Sequence, residues 1–294
     1  MSGKGKDNLV ALLKRDGRVR SKHSLRQVSF LWKARMKIFW SYKLDLTMDI
    51  VNAVISVGVY FFMGFQVNLQ QLAAAGYGTS YIAFALVGVT TETFLWTSVS
   101  RISGVLRTEQ EEGTLEAITS TMLKPSNYLF GQSLAGFSRS SIYFVGAMVV
   151  GIFLLQIPLI LNAVTLATAS IAVIMMTMSH IGIGFAAAGA ILVLKRGEPI
   201  VFMFSVFTQF FSGVLYPLNV IPTFLLPIAY FLPYTYALHA LRLTFGSGYS
   251  ILSPAVTTDF IAMGVWTLVS VPIGIWVFKK AINHSRRVGT MSYY

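Results

Sequence analysis

The chain has 294 residues, of which 55% are hydrophobic and only 12% charged. A soluble domain carries about 25% charged residues, so the composition excludes a water-soluble fold and makes a lipid bilayer the main solvent. The net charge of +12 then reads as basic residues kept on one side of a membrane rather than as a nucleic-acid surface. The absence of cysteine excludes a disulfide framework or thiolate metal site.

In chain order, residues 1–24 are rich in lysine, arginine and glycine and are expected to form a mobile cytoplasmic tail. Over residues 25–43, Leu25, Val28, Trp32, Met36 and Phe39 recur at three- and four-residue steps, while Arg26, Lys33, Arg35 and Lys37 occupy most of the remaining face. This spacing predicts an amphipathic helix along the inner leaflet. The first long apolar run begins near Leu46, too far from the terminus for the core of a cleavable signal peptide, so it is expected to be a retained span.

The region 44–280 reads as an all-α polytopic membrane domain. Six stretches approach the roughly 20 residues needed to cross about 30 Å of hydrocarbon: 46–66, 78–100, 132–155, 164–194, 200–217 and 256–278. The fourth is long enough to tilt or break. The fifth is short, and Pro217 is expected to end it. Residues 218–250 are apolar but cut by Pro222, Pro227 and Pro233 into pieces too short to span, which predicts a re-entrant segment shielded by protein. Residues 281–294 form a second tail.

Lysine and arginine set the orientation. Residues 1–43 hold twelve, 101–139 four, 195–196 two and 279–287 four, against Arg242 alone on the other side. Both termini and the acidic loop within 101–139 are therefore expected in the cytoplasm. That loop carries Glu109, Glu111, Glu112 and Glu116, four of the eleven acidic residues of the chain. Thr108 followed by Glu111 has the form of a capping box. Leu115, Ile118 and Met122 supply an apolar stripe to a helix over 108–123, weakened at Gly113. Pro125 is expected to stop it, with Ser126 or Asn127 capping the next helix. Acid concentrated in one short cytoplasmic helix suits docking onto a soluble motor. The alternative is a solvated helix that packs beneath its own bundle.

No Gly-x4-Gly-Lys-Ser/Thr loop, His-Glu-x-x-His or Gly-x-Ser-x-Gly is present, and the four histidines are scattered. The sequence therefore offers no catalytic residue, metal site or bound cofactor of its own. Within the apolar runs, Glu92 stands between Thr91 and Thr93. It is either a protonated carboxyl bonded to its neighbouring threonines or a polar group at a translocation path. Phe204, Phe207 and Phe211 share a helical face with Thr208 beside them, an arrangement open to ordinary packing or to an apolar path. His180 reads as a packing histidine. Gly182, Ala186 and Ala190 permit close helix contact. Arg242 is expected to anchor the re-entrant segment at the outer interface.

Glu111-Glu112-Gly113-Thr114-Leu115-Glu116 followed by Thr119-Ser120-Thr121 resembles the signature loop of type-2 ABC exporter permeases. Ser212-Gly213-Val214-Leu215-Tyr216-Pro217, Ile221-Pro222 and Leu232-Pro233-Tyr234-Thr235-Tyr236-Ala237-Leu238, with Leu241-Arg242, is similar to that family's fifth span and outer re-entrant segment. Met122 stands where the family commonly has proline. The resemblance covers nearly the whole chain after residue 25. It implies a permease pairing as a dimer with separate ATP-binding-cassette ATPases, on which ATP and Mg would be bound. The 108–123 segment would be the coupling helix, with Glu109, Glu111, Glu112, Gly113, Thr114 and Glu116 at the contact and Leu115 and Ile118 filling a groove on the ATPase. The second and fifth spans would border the path through Glu92, Thr93, Phe204, Phe207, Thr208 and Phe211. Pro217, Pro222, Pro233 and Arg242 would shape the outer segment. The implied activity is export of an apolar or amphipathic cargo (drug, lipid or glycolipid-like) across the cytoplasmic membrane. A secondary transporter or channel without an ATPase is the alternative. It predicts inverted repeats or several paired intramembrane charges, and neither is visible.

Overall fold

The computed structural model describes residues 24–64, 80–121, 123–154, 156–194 and 198–288. Residues 1–23, 65–79, Met122, Leu155, 195–197 and 289–294 lie outside them, and with them most of the expected N-terminal tail and the end of the first expected span. No strand occurs among the described residues. Helix α1 covers 24–41 and α2 covers Lys43–Gly64. Helix α3 runs unbroken over Tyr81–Glu111, and the short α4 spans Thr114–Ser120. Then follow α5 (Pro125–Phe153), α6 (Ala163–Leu194) and α7 (Glu198–Phe211). Two single 3-10 turns lead to α8 (Leu226–Phe231), α9 (Pro233–Ser247) and α10 (Pro254–Val288).

Four of these helices, α3, α5, α6 and α10, are long and apolar enough to cross a membrane, and a fifth crossing is reached if α8 and α9 count as one broken span. Their two limbs meet at 92°. Pro233 causes the break: it occupies the first turn of α9, where its missing N–H costs nothing, and holds Leu232 extended. Helix α9 ends at Gly248, whose left-handed backbone (φ 73°) lets its N–H return to the carbonyls of Leu243 and Thr244. Such a bend is that of a broken span or of a re-entrant segment, the latter being the expectation for 218–250. The expected fifth span is cut short. Helix α7 has 14 residues, roughly 21 Å of rise, and ends at Phe211 rather than at Pro217. A turn over 212–216 containing Gly213 (φ 71°) replaces its last part. The first expected span is present as the 22-residue α2.

Helices α3 and α6 form the interior, while α5 and α10 are largely peripheral. One core cluster gathers Phe84, Leu86, Phe94, Met176, Tyr234 and Leu241, and a second gathers Leu106, Leu115, Leu129, Phe185 and Phe278. Close approach at glycine brings the helices together. Gly182 lies against the backbone of Ser270 and Val271, and Gly189 against Phe278. Small residues at four-residue spacing were the expected seam, but Ala186 and Ala190 are only half-buried. The contact instead repeats after seven residues, two helical turns, which keeps Gly182 and Gly189 on one face of α6.

Candidate functional site

Two regions carry the polar residues singled out by the sequence, and α3 joins them. At its lower end the helix does not stop at Thr108. The Thr108 hydroxyl returns to the carbonyl of Gly104 (3.3 Å), so no capping box forms, because the apolar Ile102 and Leu106 carry the helix on into the core to Glu111. The break falls at Gly113, in left-handed conformation (φ 70°). The expected single helix over 108–123 is thus the last turns of α3 plus the seven-residue α4. Pro125 opens the next helix rather than merely ending this one, and neither Ser126 nor Asn127 caps it. Asn127 is buried and donates to Gln27 of α1 (2.7 Å).

The acidic residues of the loop divide by direction. Glu109 turns inward, accepts from Arg35 (3.4 Å) and Tyr128, and is also bonded by Thr114. Glu111 pairs with Arg107 (2.6 Å) on the surface, and Glu112 and Gly113 are exposed. The side chain of Glu116 lies outside the described part. Leu115 is 2% exposed and belongs to the chain's own core, with Ile118 packed beside it. An apolar stripe expected to fill a groove on another protein therefore faces the bundle here. A seven-residue helix has no other apolar surface to rest on. What remains outward is an acidic edge.

Higher on α3, Glu92 accepts from Trp96 (2.8 Å). The neighbouring threonines do not bond it: Thr90, Thr91 and Thr93 return to carbonyls of their own helix. Helix α7 packs on α3 through Val201, Ser205, Thr208 and Ser212, all buried, and Ser100 and Ser205 meet at 3.1 Å. Thr208 therefore faces inward, next to the half-buried Phe204 and Phe211. Its hydroxyl has no hydrogen-bond partner among the described residues. Phe204 and Phe211 are half-buried and Phe207 is exposed, with Phe207 and Phe211 in ring contact at 4.4 Å. Ile200, Phe202, Met203 and Phe210 are exposed as well, so α7 presents an apolar outer surface around a small polar seam.

Arg242, expected to anchor the re-entrant segment, is buried in the protein. It is 4% exposed, donates to the carbonyls of Gly213 (2.8 Å), Val214 (2.6 Å) and Phe84 (3.4 Å), and stacks on the Phe84 ring at 3.4 Å. Gly88 leaves room for it, since a Cβ there would lie 2.7 Å from its guanidinium. Carbonyls stranded by the turn after α7 are satisfied by this cation. Pro217 and Pro222 flank the 3-10 turns beside it. Asp259 bonds His239 (2.6 Å) and not Arg242. His180 packs edge-on to Tyr234 and is bonded at Nδ1 to the Met176 carbonyl (2.8 Å), while its Nε2 has no hydrogen-bond partner among the described residues. Neither the Arg242 fork nor the His239–Asp259 pair is legible in the sequence, because each joins residues of different elements.

Four helices long and apolar enough to cross a membrane, with a broken pair beside them, make the chain a multi-pass membrane protein. The chain belongs to the ABC-2 type transporter family, whose sequence model matches residues 26–245. No curated protein matches it.

Proposed function

We propose that the chain is the permease subunit of an ATP-driven exporter, a multi-pass protein of the cytoplasmic membrane with both termini inside. Two copies would pair with two separate ATP-binding-cassette ATPases, which supply ATP and Mg. Helices α2 and α7 would complete a six-span arrangement with the four long helices and the broken pair. The observation that carries the reading is the continuity of α3. One helix bears both the acidic loop and Glu92, 19 residues or roughly 28 Å apart. A push at Glu111 and Glu112 reaches the Glu92 level without crossing a joint, as a switch between inward- and outward-facing states requires. The exposed face of α7 beside it suits an apolar or amphipathic cargo and a second copy of the chain.

Charge reversal tests the motor. In cells expressing this chain with candidate ABC ATPases, Glu111→Lys with Glu112→Lys is expected to reduce the co-purified ATPase at least tenfold, because like charges facing each other cost more than about 1.4 kcal/mol. The Arg107–Glu111 pair it breaks is exposed and contributes little to the fold. Undiminished ATPase association would remove the docking role.

The path is tested by transport. Glu92→Gln keeps an acceptor for Trp96 and removes the ionisable carboxyl, and Phe207→Ala trims an exposed ring. Each is expected to lower export of a hydrophobic dye several-fold with the melting temperature unchanged. Wild-type export by both variants would take α3 and α7 out of the path.

A further inference from the structure

Two adjoining hollows of about 240 and 250 Å³ lie between α1, α2, α3 and α5. The first alone has room for roughly eight water molecules. They share Thr97, Arg101 and Arg139. Helix α1 is pinned to α5 through Trp32 and Ser138 (3.0 Å) and through Asn127 and Gln27. Its later half, with Met36 and Phe39, then roofs the first hollow. The apolar stripe expected to lie in the leaflet is thus turned toward the bundle: Val28, Trp32, Met36 and Phe39 are half-buried, while Leu25, Ile38 and Trp40 are exposed.

A π-helical turn at Thr97–Arg101 aligns the wall. Thr93, Thr97, Arg101 and Val105 are spaced by four and all line the hollows. In an uninterrupted α-helix each such step drifts by about 40°, so Val105 would stand about 120° from Thr93. The wider turn takes up the drift and keeps Arg101 on the hollow side.

The charges of the site are unequally matched. Arg139 holds both oxygens of Asp49 (2.8 Å each) and lies over the Phe39 ring (5.2 Å). Arg35 is engaged by Glu109 and Tyr128. Arg101 lines both hollows and makes no hydrogen bond or ion pair among the described residues, although Asp45 stands on the rim of the first. The planar fork of Arg101 complements a phosphate. Beside it, Ile38 and Tyr42 are exposed (48% and 62%). The hollow thus presents an accessible cation on its wall and apolar surface at its mouth, complementary to the two ends of a phospholipid.

We propose that this hollow binds the phosphate headgroup of an inner-leaflet phospholipid, with Arg101 as its ligand and the acyl chains leaving past Ile38 and Tyr42. The proposal rests on the orientation given above but not on the ATPase or the cargo, so ATPase co-purification and lipid retention can fail separately.

Native mass spectrometry of the full chain, purified in detergent from phosphatidylethanolamine and phosphatidylglycerol membranes, reads the bound lipid. One phospholipid per chain is expected to persist in the wild type and in Lys280→Gln, which removes a cation on α10. Arg101→Gln should lower retention about tenfold, Arg101→Lys less. Ala135→Leu, which fills the hollow without touching its charges, should lower it as well and covers the case in which Arg101→Gln does not fold. Equal retention by wild type, Arg101→Gln and Ala135→Leu would overturn the proposal. So would displacement of the lipid by excess inorganic phosphate, which would make the hollow a site for a free anion.

Discussion

Replacing Arg242 with glutamine is expected to destabilise the folded chain by about 3–5 kcal/mol, the range for removing one member of a buried charge-assisted network. The guanidinium donates to carbonyls of Gly213, Val214 and Phe84. It thereby ties the turn after α7 to α9 and α3, and the same group covers the Phe84 ring. A shorter amide reaches at most part of this set. The remaining carbonyls then stand in an apolar interior without donors, each at a cost of about 1–3 kcal/mol. Lysine keeps the charge but lacks the planar fork, so Arg242→Lys should fall between the two. Thermal unfolding in detergent, followed by tryptophan fluorescence, should show a drop of roughly 10 °C for Arg242→Gln or no recoverable protein. A melting curve identical to wild type would mean that these carbonyls do not depend on Arg242.

Gly182→Val should be comparably severe, by packing rather than by polarity. A Cβ at Gly182 would lie 2.2 Å from the carbonyl carbon and oxygen of Ser270, and one at Gly274 would lie 2.0 Å from the Gly182 oxygen. These are backbone atoms, so no rotamer change relieves the contact. Helices α6 and α10 must separate, and the hydrogen bond from Ser270 to the Ser179 carbonyl (2.8 Å) is lost with their packing. The cost is about 3 kcal/mol or more, at the upper end for overpacked cores. Gly146→Ala supplies the contrast. Its Cβ meets nothing within 4 Å, and exchanging glycine for alanine inside a helix favours the helix by up to about 1 kcal/mol. The same melting experiment should separate the two substitutions in sign. Equal effects would show that α6 and α10 do not meet through Gly182.

Hydrophobic run length and the distribution of lysine and arginine were enough to define an all-helical membrane protein. The motifs at Glu111–Glu116 and Ser212–Arg242 were enough to place it among the ABC-2 type transporters. These features are legible because each is local: a span is a run, a re-entrant segment is a run cut by prolines, and a turn motif lies within a few residues. The run at 200–217 was read as one span although α7 stops at Phe211, since hydropathy does not distinguish helix from an apolar turn. Continuation of α3 through Thr108 was hidden because a capping pattern says where a helix can begin, not whether a preceding one already occupies the site.

The direction of each side chain was decided only by the tertiary structure. Glu109 and Glu111 are two residues apart in one loop, yet one turns to Arg35 and the other to solvent, because opposite faces of α3 meet different neighbours. Thr208 faces inward and Phe207 outward for the same reason. Arg242, the one cation expected on the outer side, finds its partners in carbonyls 28 and 29 residues earlier. Charge counting places a residue on a side of the membrane, whereas its burial depends on which unpaired backbone groups the fold brings within reach. Composition and periodicity thus determine which segments enter the bilayer, and packing between distant segments determines which polar groups are satisfied there and which are left to face a partner.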